Sequence, residues 1–415
     1  MKMTFKPRLV GTLALLASLP LDAMAEGFVD DASVNLNLRN FYLNRNFTNP
    51  GYGQNQAEEW TQSFILDARS GFTQGVVGFG VDVLGLYSVK LNGGGGSGGS
   101  QLLPVDHDGD PASTFGRLGV AGKMKISQTE LKVGEWMPVL PILRSDDGRS
   151  LPQTFQGGQI TSKEISGLTL YGGQFRQNSP RNDSSMTDMS MQGNTTGTSD
   201  RFNFAGAEYT FNDKHTLIGA WNAQLKDVYQ QQYVQLLHSQ TVGAWTLGAN
   251  LGYFWGKEDG SALDGDLDNR TMSGMFSARY GGGTLWVGLQ KLTGKNAWMR
   301  VNGTSGGTLA NDSYNSSFDS AQEHSWQLRY DYNFAALGIP GLTLMNRYIS
   351  GSNVHSGTIT DGKEWGRESE IAYTLQSGTF KDLNVRLRNS SIRRDYSTNE
   401  FDENRLIVSY PLSLF

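Results

Sequence analysis

Trp326-Gln327-Leu328-Arg329-Tyr330-Asp331-Tyr332-Asn333-Phe334 alternates without a break. Trp326, Leu328, Tyr330, Tyr332 and Phe334 hold one phase; Gln327, Arg329, Asp331 and Asn333 hold the other. A period of two puts successive side chains on opposite faces of a strand, so this segment is a strand with one greasy aromatic face and one charged face. The end of the chain reads likewise, with Leu406, Val408, Tyr410, Leu412 and Leu414 in one phase and Arg405, Ser409 and Ser413 in the other. Pro411 breaks the regularity, and the terminal Phe415 falls one place out of phase.

The same period recurs along the chain and predicts strands near 33–46, 58–72, 76–91, 114–126, 128–137, 155–164, 167–176, 201–211, 215–226, 229–239, 242–254, 270–280, 284–293, 322–335, 341–350, 366–376, 382–393 and 403–415. Their connections alternate in length. They are short at Thr73-Gln74-Gly75, Asn212-Asp213, Gly281-Gly282-Gly283 and Gly338-Ile339-Pro340, and long at 92–113, 177–200, 255–269 and 294–321. Short turns on one rim, long loops on the other and an even strand count describe an all-β fold, a transmembrane antiparallel β-barrel of about 18 strands. The junction near residue 228 is the exception, with almost no loop where a long one is due. Trp60, Trp136, Trp221, Trp245, Trp286 and Tyr410 stand near strand ends, where interfacial girdles place aromatic rings.

Residues 1–25 read as a secretory signal: Lys2, Lys6 and Arg8, an apolar run from Leu9 to Leu21, then Ala23-Met24-Ala25. Residues 26–415 are then one outer-membrane barrel domain. Its 32 basic and 39 acidic side chains leave it mildly acidic, which excludes a globally basic nucleic-acid binder. No window is apolar for long enough to form a spanning helix. Cysteine is absent, so there is no disulfide framework, thiolate metal site or cysteine nucleophile. With 52 glycines, 11% aromatics and negative mean hydropathy, the composition suits strands that are apolar on one face only.

In a barrel, function lies on the inward face. Arg39 and Arg45 oppose Val34, Leu36 and Leu38; Arg117, Lys123 and Lys125 oppose Leu118, Val120, Met124 and Ile126; Arg386 and Arg388 oppose Val385 and Leu387. Arg69, Lys132, Arg329, Arg347 and Arg405 have similar phase, with Asp67, Asp82, Glu130 and Asp331 available to balance them. A row of guanidinium groups along a narrow wet passage raises the local concentration of anions, and the planar fork of arginine holds a carboxylate by two hydrogen bonds. The segment from Met137 to Phe155 is too rich in proline for a strand, and carries Arg144, Asp146, Asp147 and Arg149. It reads as a loop folded into the lumen to narrow it.

Several blocks, in order, resemble the OprD family of substrate-specific outer-membrane porins: Leu36-Asn37-Leu38-Arg39-Asn40-Phe41-Tyr42, Gly71-Phe72-Thr73-Gln74-Gly75-Val76-Val77-Gly78-Phe79-Gly80-Val81-Asp82, Ser150-Leu151-Pro152-Gln153-Thr154-Phe155, Gly338-Ile339-Pro340-Gly341-Leu342-Thr343 and Asn404-Arg405-Leu406-Ile407-Val408-Ser409-Tyr410-Pro411-Leu412. The resemblance spans nearly all of the mature chain. It implies an eighteen-stranded barrel in the Gram-negative outer membrane, a constriction loop, and passive uptake of small carboxylate-bearing nutrients. Arg39, Arg45, Arg69, Arg386 and Arg388 would form a basic ladder, which Asp146 and Asp147 would face. The Gly93–Gly99 insert and the 177–200 loop depart from the family pattern, so external contacts do not carry over.

Amino acids, short peptides and aromatic acids all fit such a ladder, and a monomer or a loose trimer fits the chain. The rival is an outer-membrane enzyme or adhesin acting through its loops. Its support is thin: the five histidines show no HExxH, no GxSxG elbow is present, and Asp106-His107-Asp108-Gly109-Asp110 lacks the later Glu of a calcium loop. No metal, cofactor or catalytic residue is assigned. A soluble sugar-binding β-protein would leave its one-sided aromatic faces as an aggregation hazard in water.

Overall fold

The computed structural model describes residues 27–107 and 109–415. The segment 1–25, read above as an export signal, lies outside the described residues, as does Asp108. Eighteen strands make one sheet. They are β1 (Ser33–Phe47), β2 (Gln56–Arg69), β3 (Val77–Asn92), β4 (Thr114–Ile126), β5 (Thr129–Trp136), β6 (Thr154–Ser162), β7 (Leu168–Ser179), β8 (Phe202–Phe211) and β9 (Thr216–Leu225). The second half holds β10 (Tyr229–Val242), β11 (Trp245–Glu258), β12 (Asp268–Tyr280), β13 (Gly283–Gly294), β14 (His324–Asn333), β15 (Leu342–Ser356), β16 (Ile359–Thr374), β17 (Asn384–Arg394) and β18 (Phe401–Ser413).

Each strand pairs antiparallel with its sequence neighbours, and β18 returns to pair with β1 from Asn35–Ser413 to Phe47–Phe401. The sheet is therefore closed. Closure satisfies the ladder of every strand, which a sheet in hydrocarbon requires because no water is present to bond an open edge. The backbone of the last residues continues the seam, with Val34 N–H bonding to Phe415 C=O at 3.1 Å. Pro411 costs little there, because the pairing of β17 with β18 begins at Ser409 and leaves its missing N–H without a neighbour on that side.

All the strands read from the alternation are present, and differences lie at their ends. β15 and β16 run on past residues 350 and 366 into one hairpin turning at Gly357-Thr358, where the alternation predicted a long gap. Gly357 takes φ +59°, as a two-residue hairpin turn demands. The turn after β10 is Gly243-Ala244, so β11 starts at Trp245 and not at 242. The missing loop near 228 is real: Asp227, at φ +63°, makes a tight turn whose N–H is capped by Asp259 Oδ2 at 2.9 Å.

Phe79, Leu118, Val120, Val133, Ile160, Leu170, Leu247 and Leu289 stand exposed on the outside, an apolar belt that water would not tolerate and lipid would. Trp60, exposed, and Trp245, its ring tilted 4.8 Å from that of Tyr280, lie outward near strand ends as girdle residues do. Trp136, Trp221 and Trp286 do not. Trp221 is buried inside the barrel, Trp136 packs 5.1 Å from Phe175, and the Trp286 indole donates to Asp331 Oδ2 at 2.9 Å on the lumen side. Period two separates two faces but does not say which faces lipid.

The face assignment makes a direct prediction. Val120→Arg, in the middle of the outer face of β4, destabilises the barrel by about 2–4 kcal/mol in denaturant titrations in lipid vesicles. Thr161→Arg, on the inner face of β6 across from Glu130, costs less than a quarter of that.

Candidate functional site

The lumen is divided lengthwise. Along β6 to β13 its wall is apolar: Phe155, Phe175, Phe202, Phe204, Trp221, Tyr229, Tyr233 and Phe254 point inward and are buried. Glycines make room for the rings. A Cβ on Gly206 would strike the Trp221 ring, and one on Gly252 would come within 2.8 Å of Tyr233. Three loops from the long-loop rim fold in against this wall, contributing Leu140, Ile142 and Leu143 from 137–153, Met189 and Met191 from 180–201, and Trp298, Met299, Val301 and Leu309 from 295–323. At roughly 1.5–3 kcal/mol for each large apolar side chain buried, this packing offsets the entropy of ordering the loops.

Main-chain bonds knit the loops to one another: Asn302 N–H to Ser190 C=O at 2.8 Å, Gln192 N–H to Arg300 C=O at 2.8 Å, and Ser305 N–H to Arg144 C=O at 3.0 Å. The 137–153 loop is not wholly irregular, since Val139–Leu140 pairs with Leu143–Arg144. Arg144 therefore sits on the loop's contact with 295–323. The 295–323 loop was read from sequence only as long; in the structure it is a second arm of the constriction.

Opposite this plug, β14 to β18 and β1 to β3 carry the charges. Register decides their pairing. Glu370 lies across from Arg388, Glu364 from Arg394, Glu368 from Arg347 and Glu403 from Arg45, each pair in neighbouring strands. The contacts follow: Arg388 Nε bonds Glu370, Arg394 Nε is 2.8 Å from Glu364, Arg347 Nε is 2.6 Å from Glu368, and Arg45 Nη2 is 2.7 Å from Glu403, which also holds Arg405. The wall is thus a lattice of neutralised arginines.

Two arginines are exceptions. Arg386 lies between Ala372 and Ile407, neither of which can accept a hydrogen bond from it through a side chain. It is one-third exposed, its Nε has no partner, Nη2 reaches Asn384 at 3.3 Å, and Glu370 stays 3.9 Å away. Arg39 lies between Ser63 and Ser409, and its carboxylate comes from the loop: Asp147 holds both Nη1 and Nη2, at 2.7 and 3.0 Å. Asp147 takes up the fork that a free carboxylate would use.

The remaining residues singled out from sequence are spread more widely. Arg69 is at the short-turn rim, paired with Asp67 at 2.6 Å and exposed. Asp146 does not face the ladder. It pairs with Arg181 of the 180–201 loop at 2.7 Å, because its side chain also caps Gly148 N–H in the loop's own turn. Arg181 and the Gly148 N–H hold the Asp146 carboxyl below the usual carboxylate range despite its burial. Arg149 is buried and donates to Ser100 C=O and Gly148 C=O, both at 2.9 Å, so it fastens the loop. Burial and the nearby Arg405, Arg181 and Arg45 lower its pKa well below the usual guanidinium value. Arg117 likewise clamps carbonyls of Asp183 and Pro180. Lys123 and Lys132 share Asp82.

The loops leave an eyelet against the basic wall, and a cavity of about 650 Å³ rimmed by all three of them extends from it to Tyr52, Gly99 and Asn399 on the long-loop side. Asp312 on this rim has its carboxyl pushed up to about 6 by desolvation and by Asp319, against the pull of Ser317, Arg300 and Arg347. It is therefore neutral below about pH 6 and anionic above. Anion preference in reversal-potential measurements should fall as pH rises through that value, and Asp312→Asn should remove the step. Asp147→Asn removes the charge opposite Arg39, whose Nη1 keeps its bond to Arg149 C=O at 2.8 Å, and should raise anion preference and tighten block by carboxylates about two- to fivefold.

Residues 26–414 match the family described as outer membrane porin, OprD family. The Porin-like protein GalP of Pseudomonas putida is 67% identical over 407 residues, covering 98% of both chains. Among solved structures, a BenF-like porin of Pseudomonas fluorescens Pf-5 superposes with a TM-score of 0.93 at 76% identity, covering 94% of this chain and 100% of the other. OccK2 (OpdF) of Pseudomonas aeruginosa, solved in complex with glucuronate, has a TM-score of 0.87 at 64% identity, with 94% and 100% covered. OpdK of the same organism, solved with vanillate, has a TM-score of 0.89 at 49% identity, with 93% and 100% covered. The closed eighteen-stranded sheet, its lipid-facing belt and these matches lead to one conclusion: the chain belongs to the OprD family of porins and is a β-barrel of the outer membrane.

Proposed function

We propose that the barrel passes small molecules bearing a carboxylate by passive diffusion, and that Arg39, Arg386 and Arg388 engage the carboxylate at the eyelet. The pairing of the wall supports this reading most strongly. Most lumen arginines are held by a carboxylate of the wall itself, on the facing strand or two residues along the same one, whereas Arg386 comes no nearer than 3.9 Å to Glu370 and Arg39 is held by Asp147 of the inward loop. Arg386 and Arg388 occupy one face of β17, and Arg388 is held by Glu370 at Nε only, so other N–H groups remain for a ligand. An entering carboxylate exchanges with Asp147 on Arg39, then meets Arg386. Arg45 and Arg69 stand toward the two rims, each already ion-paired, with Glu403 and Asp67.

The ligands seen in the neighbours support the class. Glucuronate in OccK2 and vanillate in OpdK each join one carboxylate to a six-membered ring. A compact acid of that size suits an eyelet bounded by a loop on each side. A hydrogen-bonded charge contact of this kind is worth about 1.5–3 kcal/mol, enough to concentrate a nutrient and weak enough to release it.

Single channels in a planar bilayer test the proposal. In a potassium chloride gradient the reversal potential should report anion preference, and glucuronate and vanillate should interrupt the current. Arg386→Ala, which leaves no carboxylate stranded, should weaken that block about tenfold, equivalent to ~1.4 kcal/mol, and reduce anion preference. Cation preference in the native channel, or block undiminished in this variant, would refute the proposal.

A further inference from the structure

The tip of the 295–323 loop crosses the lumen and lays Tyr314 on the basic wall. Its ring centroid is 4.0 Å from the Arg388 guanidinium carbon, 5.0 Å from that of Arg347 and 5.5 Å from that of Arg405. Its hydroxyl donates to Glu370 Oε2 at 3.0 Å and its backbone N–H to Glu368 Oε1 at 2.8 Å. Desolvation raises the phenol pKa to about 12, so the group is a neutral donor at every working pH. Three guanidinium groups, each paired on one side with a wall glutamate, turn their remaining face toward this point, and the π-face covers them by quadrupole attraction while carrying no charge.

The neighbouring rung adds a length scale. Arg386 and Arg388 are successive inward positions of β17, about 7 Å apart along a strand. That matches the separation of two carboxylates on a short carbon chain. Arg386, held only loosely by Asn384 at 3.3 Å and Glu370 at 3.9 Å, has terminal N–H groups left for one carboxylate, and the Tyr314 ring occupies the place where the second would lie. We infer that Tyr314 is a specificity-determining residue: by filling a second anion subsite beside Arg388, it restricts the eyelet to substrates with one carboxylate. This rests on the reading of the basic wall proposed above.

Glucuronate and glucarate test it, being of similar size and hydroxylation but carrying one and two carboxylates. Bi-ionic reversal potentials across bilayers give their permeability ratio. The native channel should favour glucuronate. Tyr314→Ala should shift the ratio about fivefold or more toward glucarate, the scale of one added charge contact, whereas Tyr314→Phe, which keeps the ring, should stay within about twofold of native. Tyr314→Ser serves equally if the alanine variant does not assemble. An unchanged ratio in the alanine or serine variant, or an equal shift in the phenylalanine variant, would overturn the inference while the native anion preference stands. A native channel indifferent to charge would instead overturn the basic-wall reading and the inference with it.

Discussion

The pairing of β1 with β18 is the contact on which everything else depends. Without it the sheet has two open edges, each a row of unpaired N–H and C=O groups in a medium with no water to accept them. With it, every strand has two neighbours and a fixed register, and register places Glu370 against Arg388 and Glu403 against Arg45. A slip of one residue would turn each of these charges toward lipid. The apolar belt and the charged wall are thus two faces of one constraint.

Closure leaves a wide interior, and the barrel uses its two halves differently. Buried rings on β6 to β13 give the three inward loops a dry surface to pack on, with glycine at Gly206 and Gly252 admitting rings that lie along the wall. The loops are positioned mainly by packing on one side of the lumen and reach the other with polar groups, the Tyr314 ring and two apolar anchors, Phe318 beside Gly351 and Leu151 beside Leu84 and Leu86. Asp147 and Tyr314 arrive at the basic wall in this way, one as a carboxylate on Arg39 and the other as a ring on Arg388. The two loops that cross the lumen are thus the ones that touch the arginines of the wall.

Much of the architecture was legible because a strand with lipid on one side and water on the other must alternate. The pattern placed all the strands, and the prolines of 137–153 marked the first inward loop. The 351–365 stretch failed because Gly351, Ser352, Asn353 and Gly357 resemble a loop, although the first three stay within the β15 strand. Trp221 was misplaced because the inner face of its strand is apolar too once a loop covers it, and Trp286 because an inward indole can meet lumen charges, here Asp331 and Arg329. The arginines were visible by phase, but not which of them is free. That depends on what lies across the strand, and no local pattern puts Ala372 and Ile407 beside Arg386. Asp146 shares the charge of Asp147, and only the turn geometry sends it to Arg181. Nothing in Ser313-Tyr314-Asn315-Ser316 distinguishes it from any polar loop.

On the proposed reading a carboxylate binds between the two loops at Arg386 and Arg39, with the spare N–H groups of Arg388. The most direct measurement is a crystal structure with 4-bromobenzoate, located by the anomalous signal of bromine. The proposed reading places the molecule in the eyelet with its carboxylate within hydrogen-bond distance of Arg386, Arg388 or Arg39. Occupancy confined to the outer cavity or to the apolar half of the lumen would contradict it.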